Sequence, residues 1–600
     1  DLAIFFGLAI MLSLVALEQL RLTRLGQLLF GLVIVVALVM LGVINFFALW
    51  MVLGVVSLVI LVYGLTKDRL GGRLSPEIKP SISAVSISVS LAVLIASIVF
   101  ILGGSVVGNA IARLTNISYL EVRPSLRATT DIVREVYNTD ALFGVGPNRF
   151  GDVWRLYKDP AINTSIFWNT DFVAGFGYIP TFFATMGIVG GVAWTVFLIL
   201  FLIGGLRMLL RSAVDDRLWY FIGTTSFVGG LYIWGMSVVY VPGPVLLITA
   251  ALCTGLMGAA SGVLTHTNAR EISSRGNGRL GFVLVIVFLI LTIGSVSGLY
   301  FMGRHYAGVS VFNASFPMIA AGAALDDIEA RTVQAYVLSN DDAYARRLAE
   351  YQIARIQGLL TVPEPTEEQK QQFNAALNGA VNAAQVAVSG DDTDPRNVSM
   401  LGNVYATLVP ANVEGAYERA VEQFTKARDL DPRNPLRPLT LAQLAFAAGR
   451  QDEARRYVAE AIAVKGNYSD AIFFLAQMDI AAGKTDEAIT AVRAITVLEP
   501  QNPVRFFQLG VLLFSTGEHA DAATVLEQAT ALDKNYANAH FYLALAYDVL
   551  GRSGEARREL DAVLALNPGH ELILNLLAKL DRKEPLLDTT TANASIPQSS

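Results

Sequence analysis

The sequence predicts an all-α chain: a polytopic helical membrane domain followed by an extracytoplasmic α-solenoid. Three observations carry that prediction. The 600 residues are 53% hydrophobic and only 16% charged, and the apolar residues crowd into the first half, a composition too greasy for an ordinary soluble protein and a length too great for one core. Five glycines, Gly415, Gly449, Gly483, Gly517 and Gly551, fall 34 residues apart near the other end. Basic residues gather in every second connection between the apolar runs, which gives the runs an alternating direction across a bilayer.

Apolar runs of about 20 residues, enough to cross a membrane, lie near residues 2–18, 27–45, 47–66, 81–103, 186–206, 218–239, 243–264 and 281–302. Eight spans are therefore expected in a membrane domain covering residues 1–302. The chain opens at Asp1 inside an apolar stretch, so the expected count is a minimum. Arg21 and Arg24; Lys67, Arg69, Arg73 and Lys79; Arg207, Arg211 and Arg217; and Arg270, Arg275 and Arg279 mark the cytoplasmic connections. The turn around Asn45, residues 104–185, residues 240–243 and everything after Tyr300 then lie outside. All six tryptophans, Trp50, Trp154, Trp168, Trp194, Trp219 and Trp234, lie in this half, several of them near span ends, and are expected to anchor at the interface. Ser83, Ser86, Ser90 and Ser97 form a stripe of small residues suited to helix packing. Ionisable residues are almost absent from the span centres, which disfavours an ion-coupled transporter.

The net charge of −6 comes with no clustered basic face, so nucleic acid is excluded as a partner. Cys253 is the single cysteine, which excludes an internal disulfide and a cysteine-based zinc site. No metal and no cofactor are expected.

The loop at residues 104–185 is where chemistry is expected. Arg127 to Tyr137 reads as an amphipathic helix, with Ile132, Val133 and Val136 set against Arg127, Asp131, Arg134 and Glu135. Two guanidiniums on one helix face suit a phosphate clamp, and the same face suits a helix made soluble at an interface. After it, Gly144 and Gly146 form a glycine turn that can bring backbone close to another group.

The order Ser125-Leu126-Arg127, a helix, then Phe143-Gly144-Val145-Gly146-Pro147 with Phe150, a loop, and Gly187-Ile188-Val189-Gly190 opening an apolar helix resembles the O-antigen ligase and polymerase family over roughly residues 1–300. The resemblance implies a bacterial plasma-membrane glycosyltransferase of polysaccharide biosynthesis. Its donor would be a polyprenyl-diphosphate-linked glycan, its acceptor a glycan, lipid or protein on the outer face, and it would use no metal. It points to Arg127 as the cation that stabilises the diphosphate leaving group, with Arg123, Arg134 and Arg149 as further diphosphate ligands beside Gly144 and Gly146. The family's histidine is missing: Phe176-Gly177 stands in its place, and no histidine precedes His266. Asp131 and Asp171 are the leading substitutes as general base, with Glu135 and Asp152 behind them. His305, just past the last span, is a further candidate near the same surface.

The glycine period is shared by Ala420, Ala454, Ala488, Ala522 and Ala556 and by the turn positions Pro432, Gly466, Pro500, Lys534 and Pro568. A 34-residue period with small residues at these places is the tetratricopeptide signature. Residues 303–394 are expected as a helical linker, 395–583 as repeats and 584–600 as a disordered tail. The repeats should form a groove, lined by first helices, for a protein or peptide partner. His519, His540 and His570 lack metal-ligand spacing and read as surface or packing residues. Two readings follow: a ligase whose repeats recruit an acceptor or assembly partner, or a non-catalytic membrane-anchored scaffold for envelope assembly. A ligase requires Arg127 to face a cavity, whereas a scaffold leaves it in surface ion pairs.

Overall fold

The computed structural model describes residues 1–20, 22–70, 84–115, 122–211, 216–264 and 278–586. Arg21, Arg73, Lys79, Arg270, Arg275, Ser83, His266 and the tail beyond residue 586 lie outside the described residues, as do the side chains of Lys67, Arg69 and Ser86. Every regular element among the described residues is a helix. The chain divides into two compact units: Asp1–Asp159 with Thr170–Leu299, and Pro160–Asn169 with Tyr300–Ser600.

The first unit opens with α1 (Leu2–Gln19), α2 (Arg24–Ile44), α3 (Phe47–Leu70) and α4 (Ala84–Thr115). Three short helices follow, α5 (Leu126–Asp140), α6 (Phe150–Tyr157) and α7 (Tyr178–Thr185), then α8 (Gly187–Arg211), α9 (Arg217–Val239), α10 (Pro244–Leu264) and α11 (Gly278–Asn313). Eight of these eleven are long and apolar enough to cross a membrane. Polar caps hold several helix starts: Thr23 accepts from the Gly26 amide, and Asp216 accepts from the Leu218 and Trp219 amides.

Helices α1 and α9 form the centre of the bundle, with Ile10, Met11, Leu14, Tyr232, Ile233 and Met236 wholly buried. The serine stripe packs as expected where it is described. Ser57 donates to the Ser90 carbonyl at 2.9 Å, and a Cβ built on Gly54 would lie 3.1 Å from the Ser97 Cβ, so α3 and α4 meet through small side chains. Three of the tryptophans expected as interfacial anchors make packing contacts. Trp50 is fully buried and stacks on Phe100 at 4.2 Å, Trp194 stacks on Phe182 at 5.4 Å, and the Trp234 indole donates to Thr254 at 3.0 Å.

Helix α11 differs from the other long helices because no residue of its apolar stretch is buried. At 36 residues it is about 54 Å long, well beyond the roughly 30 Å of a hydrocarbon core. It therefore continues through residues 303–313, where the sequence suggested a separate linker.

The second unit continues with α12 (Ser315–Ala320), α13 (Leu325–Ser339), α14 (Asp342–Leu360) and α15 (Glu367–Gly390). Five hairpins follow: α16 and α17 (Pro395–Ala406, Ala416–Leu430), α18 and α19 (Leu436–Ala447, Gln451–Val464), α20 and α21 (Ser469–Ala481, Thr485–Leu498), α22 and α23 (Pro503–Ser515, His519–Leu532), and α24 and α25 (Ala537–Val549, Ser553–Leu566), closed by α26 (Glu571–Asp581). The five periodic glycines all take φ between 74° and 87°, a left-handed turn that L side chains resist. The five matching alanines are completely buried, as are Ala442, Ala476 and Ala544. The expected linker is in part an extension of this stack. Ala349 and Ile356 of α14 and Ala376, Ala380 and Ala384 of α15 belong to the same core as α16 to α19. Alanines four apart give α15 a flat face for close packing, but its hairpin turns through Pro363 and Pro365 and so escapes the glycine period.

In the last hairpin, Glu559 lies 2.5 Å from the His540 Nδ1. Burial alone lowers the imidazole pKa from its usual 6.5, but the Glu559 carboxylate outweighs it and the net direction is upward. Such a pair contributes its full stability below the unfolded value of about 6.5 and loses it as pH rises through the higher folded value. Glu559→Gln should therefore lower the thermal midpoint of the detergent-solubilised protein at pH 5.5, by an amount equivalent to about 1 kcal/mol, and leave it nearly unchanged at pH 9. Equal effects at both pH values would show that the pair is not ionic.

Candidate functional site

Among the described residues, the long loop is built on α5, α6 and α7. Ser125 caps α5 by accepting from the Ala128 amide at 3.1 Å, while Thr129, Ile132 and Val136 face inward. Thr129 accepts from the Phe176 amide at 2.7 Å, which ties the helix to the stretch before α7. Arg123 donates to the Phe176 carbonyl at 2.6 Å and to the Val239 carbonyl, and its guanidinium lies 4.2 Å from the Phe176 ring centroid. These contacts hold Arg123 in the joint between the loop and the end of α9.

Arg127 sits on the solvent face of α5 with its side chain 91% exposed, 3.8 Å from Asp131. Arg134, 79% exposed, approaches the same carboxylate from the other side at 3.8 Å. Glu135 is exposed and accepts from Asn138 at 3.3 Å. The four residues do share one face, and on that face Arg127 and Arg134 form surface ion pairs with Asp131, which are individually weak. Arg149 lies 3.4 Å from Asp152.

The glycine turn meets the start of α8. Gly144 and Gly187 have φ of 67° and 63°, and a Cβ on Gly187 would stand 2.5 Å from the Leu142 carbonyl oxygen. The Val145 and Gly146 amides donate to the Ala184 and Thr185 carbonyls at 3.1 and 2.9 Å, and Ile188 and Val189 donate back to Ala141 and Leu142 at 2.9 and 3.2 Å. The turn was expected to offer backbone amides to a diphosphate. Instead Gly144 donates to Asp140 at 3.1 Å and Gly146 to Thr185, so both amides are already committed to folding the loop.

Asp171 is not near Asp131's ion pairs in the contacts it makes; it pairs with Arg155 at 3.5 Å. Arg155 is the residue that sequence reasoning passed over. Its side chain is only 7% exposed, donates to Asp152 at 2.6 Å and spans both carboxylates. Beside it the Trp154 indole donates to the Thr170 carbonyl at 3.1 Å and meets Phe172 edge to face. The signal was present in Phe150, Val153 and Trp154, the buried apolar residues of the same short helix. Among the described residues no group of three or more His, Cys, Asp or Glu side chains is placed to hold a metal ion.

The second unit carries a different arrangement. Residues 160–169, part of the long loop in sequence, lie on the repeats. The Asn163 side-chain amide donates to the Arg433 and Val464 carbonyls at 2.9 and 3.1 Å, and the Lys465 ammonium donates to the Asn163 carbonyl at 2.5 Å. Trp168 packs on Tyr468 with ring centroids 5.3 Å apart, and Asn434 donates to the Asn169 side chain at 3.3 Å. The receiving residues come from the turns between successive hairpins, not from the first-helix face expected to bind peptides. On that other face α14 and α16 border an open cleft of about 680 Å³, lined by Ile353, Gln357, Met400 and Asn403 among others.

The C-terminal part of the chain is a tetratricopeptide repeat domain: residues 414–466 and 513–580 match the tetratricopeptide repeat family model. No curated protein matches the chain. Among solved structures, YrrB, described as a tetratricopeptide protein with an unusual peptide-binding site, is 20% identical, with 32% of this chain and 96% of that one covered and a TM-score of 0.24. PilF of Pseudomonas aeruginosa is 19% identical, with 39% and 99% covered and a TM-score of 0.27. A tetratricopeptide repeat protein from Parabacteroides merdae is 15% identical, with 46% and 99% covered and a TM-score of 0.31.

Replacing Arg155 by Leu leaves Asp171 without its cation and Asp152 with Arg149 alone, though both carboxylates reach water at 44% and 25% exposure. The cost should be about 2 kcal/mol, less than for a fully buried pair. Hydrogen exchange of the α6 amides should then rise about tenfold or more, whereas Arg127→Ala should leave it unchanged; similar exchange in the two variants would remove Arg155 from the loop's core.

Proposed function

We propose that this chain is a multi-pass membrane anchor that displays a tetratricopeptide scaffold for polypeptide partners, outside the plasma membrane as the basic connections indicate. The observation that carries this reading is a polypeptide segment, residues 160–169, seated on the repeats through asparagine, lysine and tryptophan. Arg127 in exposed surface ion pairs supports it further. The cleft between α14 and α16 offers a second apolar surface of a size to take side chains of a bound segment.

A second reading is the O-antigen ligase type of glycosyltransferase. It is favoured by the packing of Gly144 to Gly146 against the start of α8, which joins in space the two short motifs on which the resemblance rests. In that reading Arg127 and Arg134, flanking Asp131 on an open face, receive the diphosphate of a polyprenyl-linked glycan, Arg123 and Arg149 support the loop, and Asp131 or Asp171 takes the acceptor proton.

Two measurements on the full-length protein in lipid separate the readings. A photoreactive residue at Gln357 or Asn403 should cross-link one defined polypeptide partner in native membranes, and Ile353→Asp should remove that product. Transfer of polyprenyl-diphosphate-linked glycans should be no greater for the wild-type protein than for Arg127→Ala. Transfer that falls at least a hundredfold in Arg127→Ala, at equal membrane levels, would overturn the scaffold in favour of the ligase.

A further inference from the structure

The position that opens each inter-hairpin turn recurs with the repeat as Asp431, Lys465, Glu499, Asp533 and Asn567. Lysine stands alone in a column of carboxylates and one amide. In the turns on either side the acid closes a local network. Asp431 accepts from Asn434 at 2.9 Å and from Arg437 at 3.1 Å, and Glu499 accepts from Asn502 at 2.7 Å and from Arg505 at 2.8 Å. The equivalent residues of the middle turn are Lys465, Tyr468 and Ala471, which have no such network to form. An ammonium has three donors and no acceptor. Here one reaches Asn467 at 2.7 Å and one is aimed out of the turn, at the Asn163 carbonyl.

The ligand side is equally specific. Asn163 is 2% exposed and gives both amide hydrogens to main-chain oxygens, one of them Val464 at the end of α19, where a helix leaves its carbonyls without internal partners. Residues 160–169 contain no charged side chain. They hold their own shape through a 3-10 turn at Pro160–Thr164, with Ser165 donating to the Ile162 carbonyl at 2.7 Å and accepting from the Phe167 amide at 3.1 Å. The seat is incompletely filled. A cavity of about 360 Å³ remains between Ser165, Ile166 and Trp168 on one side and Asp470, Glu499 and Arg505 on the other.

We propose that the Lys465 turn and its neighbour at Asn434 form a peptide-recognition site separate from the first-helix face, and that residues 160–169 are its exchangeable internal ligand. The partner it takes in trans is an uncharged segment with asparagine and, five residues on, tryptophan. The proposal deepens the scaffold reading and rests on it. A tethered segment competes at an effective concentration on the order of mM. A free peptide with a Kd of tens of micromolar is then held off by roughly a hundredfold until the internal segment is released.

The test uses the full-length protein in nanodiscs and a fluorescent peptide copying residues 160–170, with binding read by anisotropy. Asn163→Ala with Trp168→Ala should raise the apparent affinity for the peptide at least tenfold over the wild-type chain, and adding Lys465→Met should reverse that gain. Hydrogen exchange of the repeats guards against misfolding of either variant. In the wild-type chain, saturating peptide should accelerate exchange at residues 162–168, and a peptide with its asparagine changed to alanine should not. No gain on weakening the internal segment, or no effect of Lys465→Met, would overturn the proposal. Failure of the scaffold reading would instead remove cross-linking at Gln357 and Asn403 while leaving the peptide exchange intact.

Discussion

Close approach of helices, permitted by side chains of one heavy atom or two, is the constraint on which both units depend. In the repeats it is met by alanine: Ala420, Ala454, Ala488, Ala522 and Ala556 are completely buried where a larger side chain would force the hairpins apart. Gly510 shows the limit, since a Cβ there would sit 2.5 Å from Leu526. In the apolar half, Gly54, Ser57, Ser90 and Ser97 serve the same end between α3 and α4. With no strand among its described residues, the chain builds its cores by packing helices.

That constraint also explains why the loop's polar groups make structure before they make a site. The Gly144 turn folds onto the start of α8 by exchanging backbone hydrogen bonds, and the left-handed conformation of Gly144 and Gly187 lets the two segments touch. Arg123 and Arg155 are enclosed by carbonyls, rings and carboxylates, whereas Arg127 and Arg134 stay in water. A guanidinium within an apolar helix face needs fixed partners, because unpaired burial is costly. One on the outer face needs none and remains available to a ligand.

The repeats show how a local break in a pattern becomes a receptor. Four of the five turn positions carry Asp, Glu or Asn, and all three of those acids bond within their own turn. Lysine at the remaining position turns donors outward and cannot accept, so the polar groups around it are completed by another segment. Burial pushes the Lys465 ammonium pKa down, and its bonds to the Asn163 and Asn467 oxygens offset the loss of water.

The sequence by itself determined the number and approximate ends of the long apolar helices, the 34-residue stack and the surface helix at α5. All three follow from periodicities of 3.6 or 34 residues, and a period is a property that neighbours along the chain share. It also marked Gly144, Gly146 and Gly187 as unusual positions. The tertiary structure alone decided what those positions do. It decided that α14 and α15 join the repeat core, that Trp50 and Trp234 pack within the bundle, that Arg155 holds Asp171, and that residues 160–169 belong with Lys465, some 300 residues away. These are pairings between segments with no common period. A hydrogen bond between Asn163 and Val464 leaves no trace in the order of residues on either side, because its geometry exists only once the helices have stacked.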